Sequence, residues 1–322
     1  MHASHLLGTG KPRYTLEMPS SKVVRNSHPR RITEERNTAS KNLDRMSSLE
    51  IIRLMNREDR KVAPAVGQAV PAIARAVDEI VARMTVGGRL IYVGAGSSGR
   101  IGVLDASECP PTFGVSANLV RAVIAGGRKA VMRSVEGAED RPGEAAGDLR
   151  KIRLTKLDSV VGIAASGTTP YVLGAIDYGN RRGALTIGVA ANGRSPLAKS
   201  AKIAITPEVG PEILAGSTRL KAGTSQKMVL NMLSTAVMVR LGHAYDNLMI
   251  DVGESNEKLR ERAKWILKEA SARDVSVVTR ALRQSGHDLR LALIMLKRGV
   301  STKQARRILL ESRGNLRKAL GE

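Results

Sequence analysis

Two stretches of this 322-residue chain combine glycines with hydroxyl side chains in a way that suits a bound anion. The first is Gly94-Ala95-Gly96-Ser97-Ser98-Gly99-Arg100, which runs on into Asp105-Ala106-Ser107-Glu108-Cys109-Pro110-Pro111-Thr112. The second is Ala165-Ser166-Gly167-Thr168-Thr169-Pro170. Glycine lets the backbone approach an anion closely, and hydroxyls and helix N-terminal amides donate to it. Neither stretch has the lysine of a P-loop. Gly94-x-Gly96-x-x-Gly99 has dinucleotide-loop spacing, but about twenty residues on the chain offers Thr112, Gly114 and Ser116 and no acid to hold a ribose. Two Ser/Thr turns, in place of one glycine loop, favour a compact sugar phosphate. Glu108 lies one short helix away from the first turn. A carboxylate belongs near a bound phosphate only if it works on the rest of the ligand. The plainer alternative for the glycines is a capped strand-turn-helix.

Both turns need strands to hold them. Arg89-Leu90-Ile91-Tyr92-Val93 and Ser159-Val160-Val161-Gly162-Ile163-Ala164 are β-branched and apolar, and each feeds its turn from a strand's carboxyl end, where open parallel sheets bind ligands. Ile101 to Ala106 suits the first turns of a helix, and Tyr171 to Arg181 continues helically after the second turn. Strands are expected near 90–94, 120–124, 159–164, 185–189 and 203–206. Val66, Val70, Ile73, Val77, Ile80 and Val81 form the apolar stripe of a helix over 65–84. The βαβ alternation predicts an α/β fold: a parallel sheet with helices on both faces. Gln226 to Leu241 is apolar over more than one face, so it is expected to be buried, partly at a subunit contact.

The tail from Ala270 repeats one plan over 279–293 and 306–320: a short helix, a Ser/Gly/Asn turn, then Leu-Arg-x-Ala-Leu. It reads as a small C-terminal bundle of short helices, similar to a ubiquitin-associated domain, with 256–268 as the connecting helix. Residues 1–32 have no sustained period and read as a disordered basic extension. The expected division is therefore 1–32, 33–265 and 266–322.

Composition narrows the classes. A hydrophobic fraction of 42% supports a core, and with only 2% aromatics that core must be aliphatic. One cysteine excludes an internal disulfide and fits a reducing cytoplasm. No apolar run approaches roughly 18 residues, so no membrane span is expected. No apolar segment follows the early charges as in a secretory signal. The net charge of +22 is uneven: +5 over 1–32, +6 over 33–257 and +11 over 258–322. Such an excess suits nucleic acid or a membrane surface, but the aromatics that stack single strands are missing, so nucleic-acid binding is not expected. A positive field also draws in a sugar phosphate.

The two turns, Asp105-Ala-Ser-Glu-Cys-Pro-Pro-Thr-Phe-Gly114, Gly216-Ser-Thr-Arg-Leu-Lys-Ala-Gly-Thr224, Thr33-Glu-Glu-Arg-Asn37 and Asn247-Leu-Met-Ile-Asp-Val252 together resemble the N-acetylmuramic acid 6-phosphate etherases, members of the sugar isomerase (SIS) domain superfamily. The resemblance spans roughly 33 to 265, with long motifs in the right order. One departure is Thr168, where arginine is often expected.

The resemblance implies an SIS domain and cleavage of the lactyl ether at C3, giving N-acetylglucosamine 6-phosphate and D-lactate. The chemistry has a physical logic. Ring opening makes C1 an aldehyde and C2–H acidic. Loss of that proton lets the β-oxygen at C3 depart, and water adds back. One general base and one general acid suffice, with no metal or redox cofactor. The resemblance carries these roles onto Glu108, as the acid for departing lactate, and Glu139, as the group at C2. Sequence alone does not separate the two roles, and Glu136 and Asp140 lie close to the second. Ser97, Ser98, Ser166 and Thr169 are the expected phosphate ligands. Thr168, Arg219 and Lys221 are further candidate contacts, the two cations for phosphate or the lactyl carboxylate unless they are ordinary surface charges. His243 and Cys109 have no evident partners; His243 is expected to end the apolar helix and Cys109 to pack beside the site.

The resemblance further implies a homodimer in which loops of one subunit help complete the other's site. Two other readings share the cradle. A phosphosugar-sensing regulator of the glucokinase-regulatory-protein type would not need the carboxylate pair, whereas a sugar-phosphate isomerase shares the enolate. Retention of Glu108 and Glu139 favours the etherase.

Overall fold

The computed structural model describes residues 32–251, 257–312 and 314–322. Nearly all of the basic extension, the start of the connecting helix at Asn256, and Val252 of the late motif lie outside them. Two helices come first, α1 (Ser48–Asp59) and α2 (Val62–Met84). The chain then alternates: β1 (Leu90–Gly94), α3 (Gly96–Phe113), β2 (Val120–Ile124), α4 (Lys129–Met132), α5 (Pro142–Lys151), β3 (Ser159–Ile163), α6 (Pro170–Arg181), β4 (Leu185–Val189), α7 (Pro196–Ser200) and β5 (Ile203–Ile205). After α8 (Lys221–Arg240) come the tail helices α9 (Glu257–Ser271), α10 (Val275–Ser285), α11 (Leu289–Arg298), α12 (Thr302–Glu311) and α13 (Leu316–Leu320).

The strands form a parallel sheet in the order β2-β1-β3-β4-β5. All five lie where the apolar runs predict them. Alternation along β1 assigns the layers. Leu90 and Tyr92 face the core built with α2, α3 and α8, while Ile91 and Val93 face the one built with α5, α6 and α7. A sheet buried on both faces is why these strands read as continuous apolar runs without alternation. A third cluster gathers Tyr245 and Ile250 with α9 to α13. The expected division between 265 and 266 falls inside α9, whose Ala263, Ile266 and Leu267 are all buried in that cluster.

Two helices differ from their sequence pattern. α3 begins at Gly96 itself and runs through Pro110 and Pro111 to Phe113, so Glu108 sits within it and not after it. The prolines lie in its last turns, where Cys109 and Phe113 are buried and hold the segment helical. α8 is not covered all round. Val229, Leu230, Leu233 and Val237 are buried, but Met232 and Val239 are exposed. With Val70 and Val77 of α2 they line an open apolar groove.

Candidate active site

The first turn ends β1 and the second ends β3. These strands are neighbours, with Gly94 paired to Ile163, so the two turns lie side by side at the carboxyl edge of the sheet. The strand order reverses direction between β1 and β3, which makes this the topological switch point.

Neither following helix has a side-chain cap. Ala95 is the N-cap of α3 and cannot supply one. Thr169 is the N-cap of α6 but makes no capping bond, and Pro170 follows it. The first amides of a helix lack intrahelical partners and carry its positive end, so both N-termini suit an anion. Ser97 and Ser98 lie in the first turn of α3 and are half-buried. In the second turn Ser166 and Thr168 share a hydrogen bond, Oγ to Oγ1 at 2.9 Å. Gly167 holds φ at +69°, and a Cβ there would meet Ser195 Oγ at 2.3 Å. The turn is thereby fixed against the start of α7.

Glu139 is exposed on the loop before α5. Its carbonyl accepts from the amide of Tyr171 at 2.9 Å, which ties this loop to α6 behind the second turn. Glu136, Glu139, Arg100, Ala95 and Gly96 line one cavity of about 290 Å³ at the N-terminus of α3. Arg100 donates from Nε to the carbonyl of Val131 at 3.0 Å, which fixes its guanidinium at that cavity. Its signal in the sequence is its place one turn after Gly96, since helical side chains lean towards the N-terminus.

Glu108 is exposed and lies outside that cavity. It follows Ser97 by eleven residues of one helix, about 16 Å of rise and close to three full turns, which puts both on one face. Leu104, also exposed, lies one turn before it. One turn before Glu108, the adjoining flank of α3 is anchored through Asp105. Its carboxylate accepts from Tyr92 Oη at 2.7 Å, Asn231 Nδ2 at 2.8 Å and Ser234 Oγ at 3.1 Å. Burial raises the Asp105 pKa despite these donors. In the sequence Asp105 is marked only as an acid on the Gly102, Ala106, Cys109 face of this helix. Cys109 is buried beside it, its thiol pushed up to about 12 by burial and by the charges of Asp105 and Glu108. It belongs to the core shared with α2 and α8 and is poorly suited to act as a nucleophile.

The two basic candidates separate. Arg219 is exposed on the loop before α8. Lys221 is 2% exposed, and its Nζ donates to Glu58 Oε2 at 2.8 Å. Glu58, also 2% exposed, accepts from Asn37 Nδ2 at 2.8 Å and from Lys61 as well. The α8 amides of Lys221 and Ala222 donate to the Glu212 carboxylate. Lys221 is thus committed to a buried ion pair and is withdrawn from substrate contact. His243 does follow α8, but it has a partner: its Nδ1 lies 2.7 Å from Asp251 Oδ2.

Comparison with known proteins supplies the family. Residues 72–180 match the model of the glucokinase regulatory protein N-terminal SIS domain, and residues 143–236 match the SIS domain. N-acetylmuramic acid 6-phosphate etherase of Clostridium beijerinckii is 51% identical over 90% of this chain and 95% of its own. Its counterpart from Pectobacterium atrosepticum is 52% identical over 90% and 95%. That from Halalkalibacterium halodurans is 52% identical over 90% and 97%. A solved phosphoheptose isomerase from Francisella tularensis covers 60% of this chain and 98% of its own, at 18% identity and a TM-score of 0.45. This chain belongs to the N-acetylmuramic acid 6-phosphate etherase family, and the regulator-type alternative is not favoured.

Proposed function

We propose that this family member cleaves the D-lactyl ether of N-acetylmuramic acid 6-phosphate to N-acetylglucosamine 6-phosphate and D-lactate. The observation that carries the reading is the pair of uncapped helix N-termini at the switch point, with Glu139 lining the cavity at one of them. The phosphate sits against the amides and hydroxyls of Ser97, Ser98, Ser166 and Thr169, with Thr168 beside them and the exposed Arg219 a further candidate contact. Glu139 takes the C2 proton of the open-chain aldehyde. The C2 electron pair forms the C2–C3 double bond as the C3–O bond breaks. The departing lactate oxygen takes a proton from Glu108. Water then adds at C3, and a proton returns to C2. Protein carboxylates suffice for each transfer.

The active unit is a homodimer on this reading. The groove of Val70, Met232 and Val239 leaves apolar surface in water that a second copy would cover, and Leu104 beside Glu108 is exposed as well. The chain from residue 33 to the end of α8 forms the catalytic domain on this reading, and α9 to α13 form a small helical domain. No helix among the described residues is long and apolar enough to cross a membrane. We place the reaction in the cytoplasm, in breakdown or recycling of cell-wall amino sugars, and assign nucleic acid no part in it.

Incubation with N-acetylmuramic acid 6-phosphate tests the reading, with D-lactate measured enzymatically. Stoichiometric lactate supports it. Isomerised sugar without lactate would make the protein an isomerase, and binding without turnover would make it a sensor.

A further inference from the structure

We infer that Arg290, in the C-terminal helices, is a positioning residue for Glu108, acting through Asp251 and Gly114. The inference rests on the reading of Glu108 as the group that protonates the leaving oxygen.

Arg290 lies in the first turn of α11. Its Nε and Nη2 both donate to the Asp251 carboxylate. Nη1 donates to the carbonyl of Gly314 at 3.0 Å and Nη2 to that of Gly242 at 3.0 Å. A planar fork satisfied this way holds its carboxylate in one place. One guanidinium thus ties together the end of α8, the segment at Asp251 and the turn before α13.

Asp251 in turn seats the end of α3. Gly114 caps that helix with φ at +63°, and its amide donates to the carbonyl of Pro110 at 2.9 Å. A Cβ on Gly114 would lie 2.4 Å from the Asp251 carbonyl oxygen and 3.0 Å from its Cβ. Backbone therefore meets backbone there with no room to spare. Glu108 is six residues upstream, between this seat and the buried Asp105 anchor.

The prolines make the seat necessary. Pro110 and Pro111 have no amide hydrogen, so the carbonyls of Ala106 and Ser107 lose their usual donors. The helix directly after Glu108 is short of its own hydrogen bonds and relies on what it packs against. Displacing a catalytic group by about 1 Å can cost about 10²-fold. A role for the tail follows: it holds the seat that aims the acid.

The test uses the full-length chain and two substrates. One is N-acetylmuramic acid 6-phosphate. The other is the 3-O-(4-nitrophenyl) ether of N-acetylglucosamine 6-phosphate, whose nitrophenolate leaves without a proton. Arg290→Met is expected to lower kcat on the natural substrate about 10-fold or more, with KM within about twofold, and to leave release of nitrophenolate within about twofold. In a Glu108→Gln background the same change is expected to add nothing, because residues acting as one unit are non-additive. Asp251→Asn provides the same comparison if Arg290→Met folds poorly. Arg298→Met loses a different tail contact, to the carbonyl of Ala319, and should lower stability while sparing kcat. Equal losses on both substrates, or full additivity with Glu108→Gln, would overturn the positioning role. Normal lactate release by Glu108→Gln alone would instead overturn the reading of Glu108.

Discussion

The starts of α3 and α8 look alike in sequence and differ in what their polar groups have left to do. Gly94 to Arg100 and Gly216 to Thr224 both mix glycines, hydroxyls and a base. At α8 the positive helix end is already met by Glu212, and the lysine by Glu58. At α3 the helix end has no side-chain cap and opens on a cavity that Glu139 lines. The same residue types serve stability in one place and offer a ligand site in the other. A site is recognised by donors still unsatisfied, and composition does not reveal that.

That contrast can be broken at several points. The largest effect is expected from Glu139→Gln, which should slow lactate release about 10²–10⁴-fold, since an amide cannot take a proton from C2. Binding of the substrate, read by calorimetry, should change little. Turnover within a few-fold of the parent would move the base elsewhere, with Glu136 or Asp140 next in line.

Lys221→Met should act in the opposite way. It leaves Glu58 buried without its main partner, a change that typically costs about 3–5 kcal/mol of stability. Denaturant unfolding reads that loss, while kcat of the folded fraction should stay near the parent's. A variant of normal stability with a raised KM would return Lys221 to the substrate. A pH series sharpens the point. Burial opposes ionisation of Glu58, yet hydrogen bonds from Lys221, Lys61 and Asn37 hold its pKa down to about 2. A depressed carboxylate stabilises the fold above its unfolded pKa of about 4.3. That contribution is lost as pH falls from there towards about 2. Lys221→Met should flatten this part of the acid-unfolding profile.

Smaller effects are expected from Ser97→Ala and Ser166→Ala. Each removes a bond to a charged group worth about 1.5–3 kcal/mol, so the 6-phosphate sugar should bind about 10- to 150-fold more weakly. Unphosphorylated N-acetylmuramic acid should be nearly indifferent. Equal loss for both sugars would assign these hydroxyls to the fold.

The fold was largely legible because its signals are local. Five apolar runs and a 3.6-residue stripe in α2 place the sheet and its first cover without knowledge of distant residues. What stayed hidden depends on contacts far apart in the chain. Lys221 finds Glu58 163 residues away, and Arg290 finds Asp251 39 residues away. Nothing near Lys221 in sequence distinguishes a buried pair from a phosphate ligand. The extent of α3 is a related case: proline disfavours a helix interior, and the burial of Cys109 and Phe113 overrides that local preference at Pro110 and Pro111. The exposed stripe of α8 is a third case, because all-round apolarity does not say which face the chain itself covers.

The most direct test of the central claim is product analysis after turnover in D₂O. Elimination through a C2 carbanion with return of solvent hydrogen predicts N-acetylglucosamine 6-phosphate carrying one deuterium at C2, released with one equivalent of D-lactate. Product formed at full rate with hydrogen retained at C2 would contradict it, pointing to direct displacement at C3 and leaving Glu139 without its role.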